Sequence, residues 1–295
     1  MNRRTVTTGG VALVAAVLAF GLMNTRIGVF VVLDLVGGGE DGDFTADPRS
    51  APIEIEEYAT AVPTYNLPTE IEQPSGITYL EGSDTFAIVT DQAELFQVTN
   101  DFETIRSKTE LAGGLLLQRQ GSTEAVGALD GARVAIAGEI PTVDIWGSDS
   151  GLTFLRSNRV ELSGLTGESE FSGIAYDPRT KKYYLASDEA FSIVVVDESG
   201  QMDRELELEA TTRTGRRLDE YQISGLEYSD GFLFAVTENF NTIFVIDPVF
   251  GIVETIGIEA GGQISAIAVS NGRAYLTIDH NYFDERPPIL TVDLD

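Results

Sequence analysis

The chain contains no cysteine. Disulfides, thiolate metal sites and thiol nucleophiles are therefore excluded. It contains one histidine, His280, so a metal site built from several imidazoles is excluded too. Lysine is scarce, with Lys108, Lys181 and Lys182 the whole set. Against 19 Lys and Arg stand 47 Asp and Glu, a formal net charge of −28 over 295 residues. A field of that sign repels phosphate backbones and anionic headgroups and argues against nucleic acid as a partner. Most of this charge reads as a solvated acidic surface of the kind suited to a salty medium, so cation binding concerns only a few of the carboxylates. No Gly-x-Ser-x-Gly elbow presents a serine nucleophile, and a Ser–His–Asp triad has only His280 to draw on.

What the chain does have is a repeat. Ser75-Gly76-Ile77-Thr78-Tyr79 returns as Ser172-Gly173-Ile174-Ala175-Tyr176 and as Ser224-Gly225-Leu226-Glu227-Tyr228. Weaker copies begin at Glu124 and Ser265. Each copy leads into a turn, an apolar strand and then a carboxylate: Asp91, Glu139, Asp188, Glu238 and Asp279. A period of roughly 40 to 50 residues with several strands per period is the signature of a β-propeller.

Counting strands predicts an all-β fold, a propeller of five four-stranded blades. Six is the alternative if Gly113–Thr123 hides further strands. The Ser229-Asp230-Gly231 step predicts a tight hairpin in blade four. Blade five ends one strand short, and the strand-like segment Thr60–Leu67 precedes blade one. Ring closure leaves no bare sheet edge at the seam, so this segment is expected as the outer strand of blade five.

In a blade of antiparallel strands, the start of the first strand and the end of the second lie on one face near the axis. The repeat therefore predicts a funnel with Ser75, Glu124, Ser172, Ser224 and Ser265 as ligand-binding positions. Asp91, Glu139, Asp188, Glu238 and Asp279 are its expected metal ligands. Like charges around one mouth repel unless a cation sits among them. Oxygen-only donors suit Ca²⁺ better than Zn²⁺. The competing reading takes these acids as solvated turn residues. His280 follows Asp279 and is a candidate general base, although a lone histidine also serves as an ordinary surface residue. Arg213, Arg216 and Arg217, in an insertion between blades three and four, read either as a receiver of an anionic group or as a salt-bridged loop.

The N-terminus adds a location. Thr5 to Thr25 carries no charge, and 21 helical residues span about 30 Å, enough to cross a bilayer. Arg3 and Arg4 precede it and favour a cytoplasmic N-terminus. Residues 1–36 thus read as a transmembrane helix, 37–57 as a Gly-rich acidic tether and 58–295 as the propeller. A cleaved signal peptide is the alternative. Either reading delivers the propeller to the extracytoplasmic, periplasmic side of the plasma membrane.

Three features together resemble the SdiA-regulated, or YjiK-like, family of membrane-anchored propellers. They are the hydrophobic N-terminus, Pro74-Ser75-Gly76-Ile77-Thr78-Tyr79, and the later copies Phe171–Pro178 and Ile223–Leu226. In that family a Ser-Gly step alternates with Glu-Gly, and Glu124 fits the alternation. The resemblance implies a propeller outside the plasma membrane with bound calcium. This chain departs from it at Ser172-Gly173 and Ser265-Ala266. Three functions compete: a non-catalytic propeller binding Ca²⁺ and a small-molecule or protein ligand; a Ca²⁺-dependent phosphoesterase or lactonase-like hydrolase; and a metal-free interaction scaffold.

Overall fold

The computed structural model describes residues 57–111, 123–138, 141–148, 154–165, 170–187, 191–206, 208, 218–279 and 286–294. The expected membrane span, most of the tether and the segment 113–122 lie outside the described residues. So do Glu139, Asp188, Arg213, Arg216, Arg217 and His280.

Two short strands come first, β1 (Glu57–Thr60) and β2 (Val62–Asn66). Blade one follows as β3 (Pro74–Leu80), β4 (Thr85–Thr90), β5 (Glu94–Thr99) and β6 (Ile105–Glu110). Blade two is β7 (Thr123–Ala128), β8 (Arg133–Gly138), β9 (Thr142–Gly147) and β10 (Leu155–Glu161). Blade three is β11 (Phe171–Asp177), β12 (Lys182–Ser187), β13 (Ile193–Asp197) and β14 (Met202–Leu206). Blade four is β15 (Ile223–Ser229), β16 (Phe232–Thr237), β17 (Thr242–Asp247) and β18 (Gly251–Glu259). Blade five has β19 (Gln263–Ser270), β20 (Arg273–Asp279) and β21 (Pro288–Asp293), and β2 completes it from the outside. The fold is thus a propeller of five blades, closed by the N-terminal strand as the short last blade requires.

One strand departs from the expected count. β1 adds to the outer edge of β18 in parallel, with Glu57 opposite Ile256 and Thr60 opposite Glu259. Blade four therefore has five strands, and β1 and β2 straddle the outer edges of two neighbouring blades. The segment before blade one was long enough to cover both edges, and an unpaired edge strand invites aberrant pairing.

Each inner strand packs on that of the next blade, and β19 packs on β3 to close the ring. Apolar burial follows the same logic. Among the described residues there are five clusters, one at each blade interface, such as Phe191, Tyr221, Leu226 and Phe244 between blades three and four. Inner strands are sandwiched on both sides, so β4 is buried along its whole length, while the outer strand β10 is mostly exposed and charged. The expected Asp-Gly hairpin is present: Asp230 and Gly231 have φ of 51° and 98°, the left-handed pair that lets a two-residue turn match strand twist.

Candidate functional site

The repeat has a local cause. In every inner strand the ladder slips by one residue at the repeated position, between Pro74/Gly76, Thr123/Ala125, Phe171/Gly173, Ile223/Gly225 and Ile264/Ala266. Ser75, Glu124, Ser172, Ser224 and Ser265 are thus bulge residues. A bulge frees its extra residue from the ladder and re-aims its side chain. The small residue that follows lets the neighbouring blade approach. A Cβ on Gly225 would stand 2.8 Å from Cα of Ala266 in blade five.

The serine side chains all do the same thing. Ser75 Oγ donates to the Thr123 carbonyl at 2.7 Å, and Ser172 Oγ to that of Ile223 at 2.5 Å. Ser224 Oγ donates to Ile264 O at 2.7 Å, and Ser265 Oγ to Pro74 O at 3.0 Å. Each acceptor is the residue just before the next blade's bulge. These hydroxyls are hydrogen-bonded rivets between blades, with their protons committed. That is a structural duty the sequence-level expectation of ligand hydroxyls did not include. It also accounts for serine at 172 and 265, where the family resemblance implies glutamate at the first of the two positions. Blade two alone has no serine at this position. Glu124 holds the bulge there, and an ionised carboxylate has no proton to give to the Phe171 carbonyl.

Above this ring lies a cavity of about 260 Å³. It is lined by all five bulge residues together with Asp91 and Glu238. The ends of β4 and β16 are tied to the starts of their inner strands: Asp91 N donates to Gln73 O at 3.2 Å, and Glu238 N to Gln222 O at 3.3 Å. This link brings the carboxylates to the same mouth as the bulges. Asp279 ends β20, opposite Gln263 in the ladder, and its side chain lies outside the described residues. Three further lining residues, Gln73, Glu170 and Gln222, escaped the sequence reading. Each lies two positions before a bulge serine, a spacing that could have found them.

The described acids are spread around the mouth. Among the described residues no three His, Cys, Asp or Glu side chains come close enough to chelate one ion. The donor set that lines the cavity is nonetheless oxygen-rich and carries Asp91, Glu124, Glu170 and Glu238, the chemistry of a hard, hydrated cation.

A second carboxyl lies deeper. Glu227, three residues after Ser224, is only 6 % exposed. It accepts the Thr78 hydroxyl at 2.7 Å, and Thr78 Oγ1 in turn accepts the Ala128 N–H at 3.0 Å. Burial pushes its carboxyl up to about 8. The equivalent residues of the other blades are Thr78, Gly127, Ala175 and Ala268. A charged residue at a level otherwise held by small side chains was a signal in the sequence.

On the opposite face, turn acids serve the backbone. Asp197 Oδ1 accepts the Ser199 and Gln201 N–H groups at 2.9 and 3.1 Å. The Ser199 hydroxyl, with the Gln201 N–H, holds this carboxyl below the usual range.

No family model matches the chain, and no curated protein matches it. Among solved structures it is similar to the crystal structure of Myxococcus xanthus glutaminyl cyclase, at TM-score 0.58 and 17 % identity over 82 % of this chain and 99 % of that one. At that identity the likeness shows the fold alone, a β-propeller resembling that of the cyclase.

Proposed function

We propose that this chain is an anchored, extracytoplasmic propeller that binds Ca²⁺, together with a small-molecule or protein ligand, in its axial funnel. One observation carries the reading. The fold asks for a hydroxyl donor at the bulge, and four blades supply serine. Glu124 cannot donate that bond, and its carboxylate lines the funnel together with Asp91 and Glu238. A residue that departs from the structural demand of its own repeat points to function rather than stability.

Because no three described acids come close enough to chelate one ion directly, a cation here would be held partly through its own waters. A cavity of about 260 Å³ has room for an ion and several waters, at about 30 Å³ each. Glu124, Asp91 and Glu238 are the residues that would hold it, and the bound charge would relieve their mutual repulsion. Gln73 and Gln222 offer amide groups at the rim to orient a ligand. The anchoring part of the reading rests on the uncharged run Thr5–Thr25 with Arg3 and Arg4 before it. The cyclase activity belongs to the structural neighbour and is not carried over.

Titration calorimetry of CaCl₂ into the full chain in detergent tests the reading. Wild-type protein is expected to bind, and Glu124→Ser to bind at least about tenfold more weakly, the loss of one charge-assisted contact. Absence of Ca²⁺ binding by folded wild-type protein overturns the Ca²⁺ reading.

A further inference from the structure

Three strands of blade two share one cross-strand row, with Arg133 on β8, Gly147 on β9 and Leu155 on β10. Partners in such a row point to the same face of a sheet. A glycine between two large side chains therefore leaves a notch. A Cβ on Gly147 would stand 3.3 Å from Cγ of Arg133, so the arginine stem already leans over the gap. Around the notch is a cavity of about 370 Å³, within the range of small-molecule sites. Asp130, Ser148 and Arg156 also line it. It lies at the end of the blade opposite the funnel, because it collects the start of the second strand and the end of the third.

Its polarity is the reverse of the funnel's. Among the described residues the funnel is lined by four acids and no basic side chain, whereas two arginines and one aspartate line the notch. Asp130 is turned onto its own loop. Its Oδ1 accepts the Ala132 and Arg133 N–H groups, both at 2.9 Å, and its Oδ2 accepts Arg133 Nε–H at 2.8 Å. That pair uses Nε, so the Nη groups of the Arg133 fork remain to donate. Arg156 is held less firmly still. Asp144 is taken through both oxygens by Arg159, at 2.6 and 2.7 Å. Arg156 Nη1 lies 3.7 Å from Oδ2 of that carboxylate, too far for a hydrogen bond. Both Arg133 and Arg156 are about half exposed and open to solutes. Ser148 adds a hydroxyl oxygen that is buried and has no hydrogen-bond partner among the described residues. Native folds rarely leave such a group unmet.

We propose that this notch binds a small organic carboxylate, taken by the Arg133 and Arg156 guanidiniums, with its apolar part resting on Leu155. The planar arginine fork matches a carboxylate in geometry. Leu155 is 65 % exposed and supplies an apolar wall. The charges select a monoanion. Two guanidiniums less the Asp130 carboxylate leave one positive charge, and a dianion such as phosphate would meet stronger repulsion from the net charge of −28. The inference is independent of the funnel and of the N-terminal anchor.

Benzoate, with benzamide as its neutral counterpart, tests the assignment. Each is titrated into the full chain in detergent at constant ionic strength, and saturation-transfer NMR reads the bound ligand. Benzoate should bind severalfold more tightly than benzamide. Arg156→Gln should weaken benzoate at least about tenfold, the loss of one charge-assisted contact. Gly147→Val fills the notch without altering charge and should weaken it comparably. Melting curves check folding, and Gly147→Ala replaces the valine variant if that one does not fold. Equal affinity for benzoate and benzamide overturns the recognition of an anion. Benzoate binding that neither substitution alters lies elsewhere on the chain and overturns the site. Tighter binding of inorganic phosphate than of benzoate overturns the carboxylate assignment. Absence of benzoate binding by folded wild-type protein overturns the proposal as a whole.

Discussion

Thr78 and Glu227 belong to blades that are not neighbours, one and four, yet the Thr78 hydroxyl reaches the Glu227 carboxyl at 2.7 Å. The bond crosses the middle of the ring, and Ala128 of blade two joins it through its N–H. Three of the five blades are thus latched across the axis.

The latch predicts a pH dependence. Burial raises the Glu227 carboxyl from 4.5 to about 8. The folded chain therefore keeps a proton that the unfolded chain loses above about pH 4.5. The stabilising contribution is fully present below that pH and is lost as the pH rises toward about 8. Glu227→Gln cannot ionise. Against wild type it should show little difference near about pH 4.5 and a relative gain of a few kcal/mol at about pH 9. Urea unfolding across the range checks this; parallel curves for the two proteins would show that Glu227 does not titrate in the fold.

The rivets predict a graded loss. Ser224→Ala removes the donor to the Ile264 carbonyl and should cost about 1 kcal/mol, the ordinary net value of such a bond. Ser75→Ala should cost a similar amount at the interface of blades one and two. Denaturant midpoints measure both, and unchanged midpoints would mean that water replaces the hydroxyls without loss.

Glu124 should behave in the opposite sense. Glu124→Ser places a hydroxyl that can donate to the Phe171 carbonyl at the interface of blades two and three and removes a carboxylate from an acidic mouth. Without Ca²⁺ it should stabilise the chain by about 1 kcal/mol. A chelator-treated thermal melt reads the shift, and destabilisation would show that Glu124 already serves the ring.

Gly127 makes a very tight blade contact. A Cβ there would stand 2.4 Å from the Ile174 carbonyl oxygen of blade three, a backbone atom that cannot swing away. Gly127→Ala should cost more than about 2 kcal/mol, as overpacking between rigid elements does. Calorimetric melting decides the point; an unaltered melting temperature would mean that the blades separate freely.

Much of the architecture was legible because propeller units are short and each carries its own turn chemistry. Asp230-Gly231 announced a hairpin, and the missing strand of blade five announced its replacement from Thr60–Leu67, of which Val62–Asn66 forms the strand. β1 was not legible: four residues (Glu57–Thr60) that begin with an acid look like tether until β18 offers an edge. The site was half legible. The spacing of Ser75, Glu124, Ser172, Ser224 and Ser265 predicts one level around an axis, and the cavity gathers them. The duty of the serines was not legible, since each bonds a carbonyl that the sequence places 40 to 191 residues away.

The sequence by itself determined the blade count, the identity of the closing strand and the level at which the repeated residues stand, because all three follow from periodicity and local turns. The tertiary structure decided what those residues do. Ring closure sets blade one against blade five and brings blade four within reach of blade one. Only that closure separates serine rivets from the Glu124 carboxylate and seals Glu227 away from water.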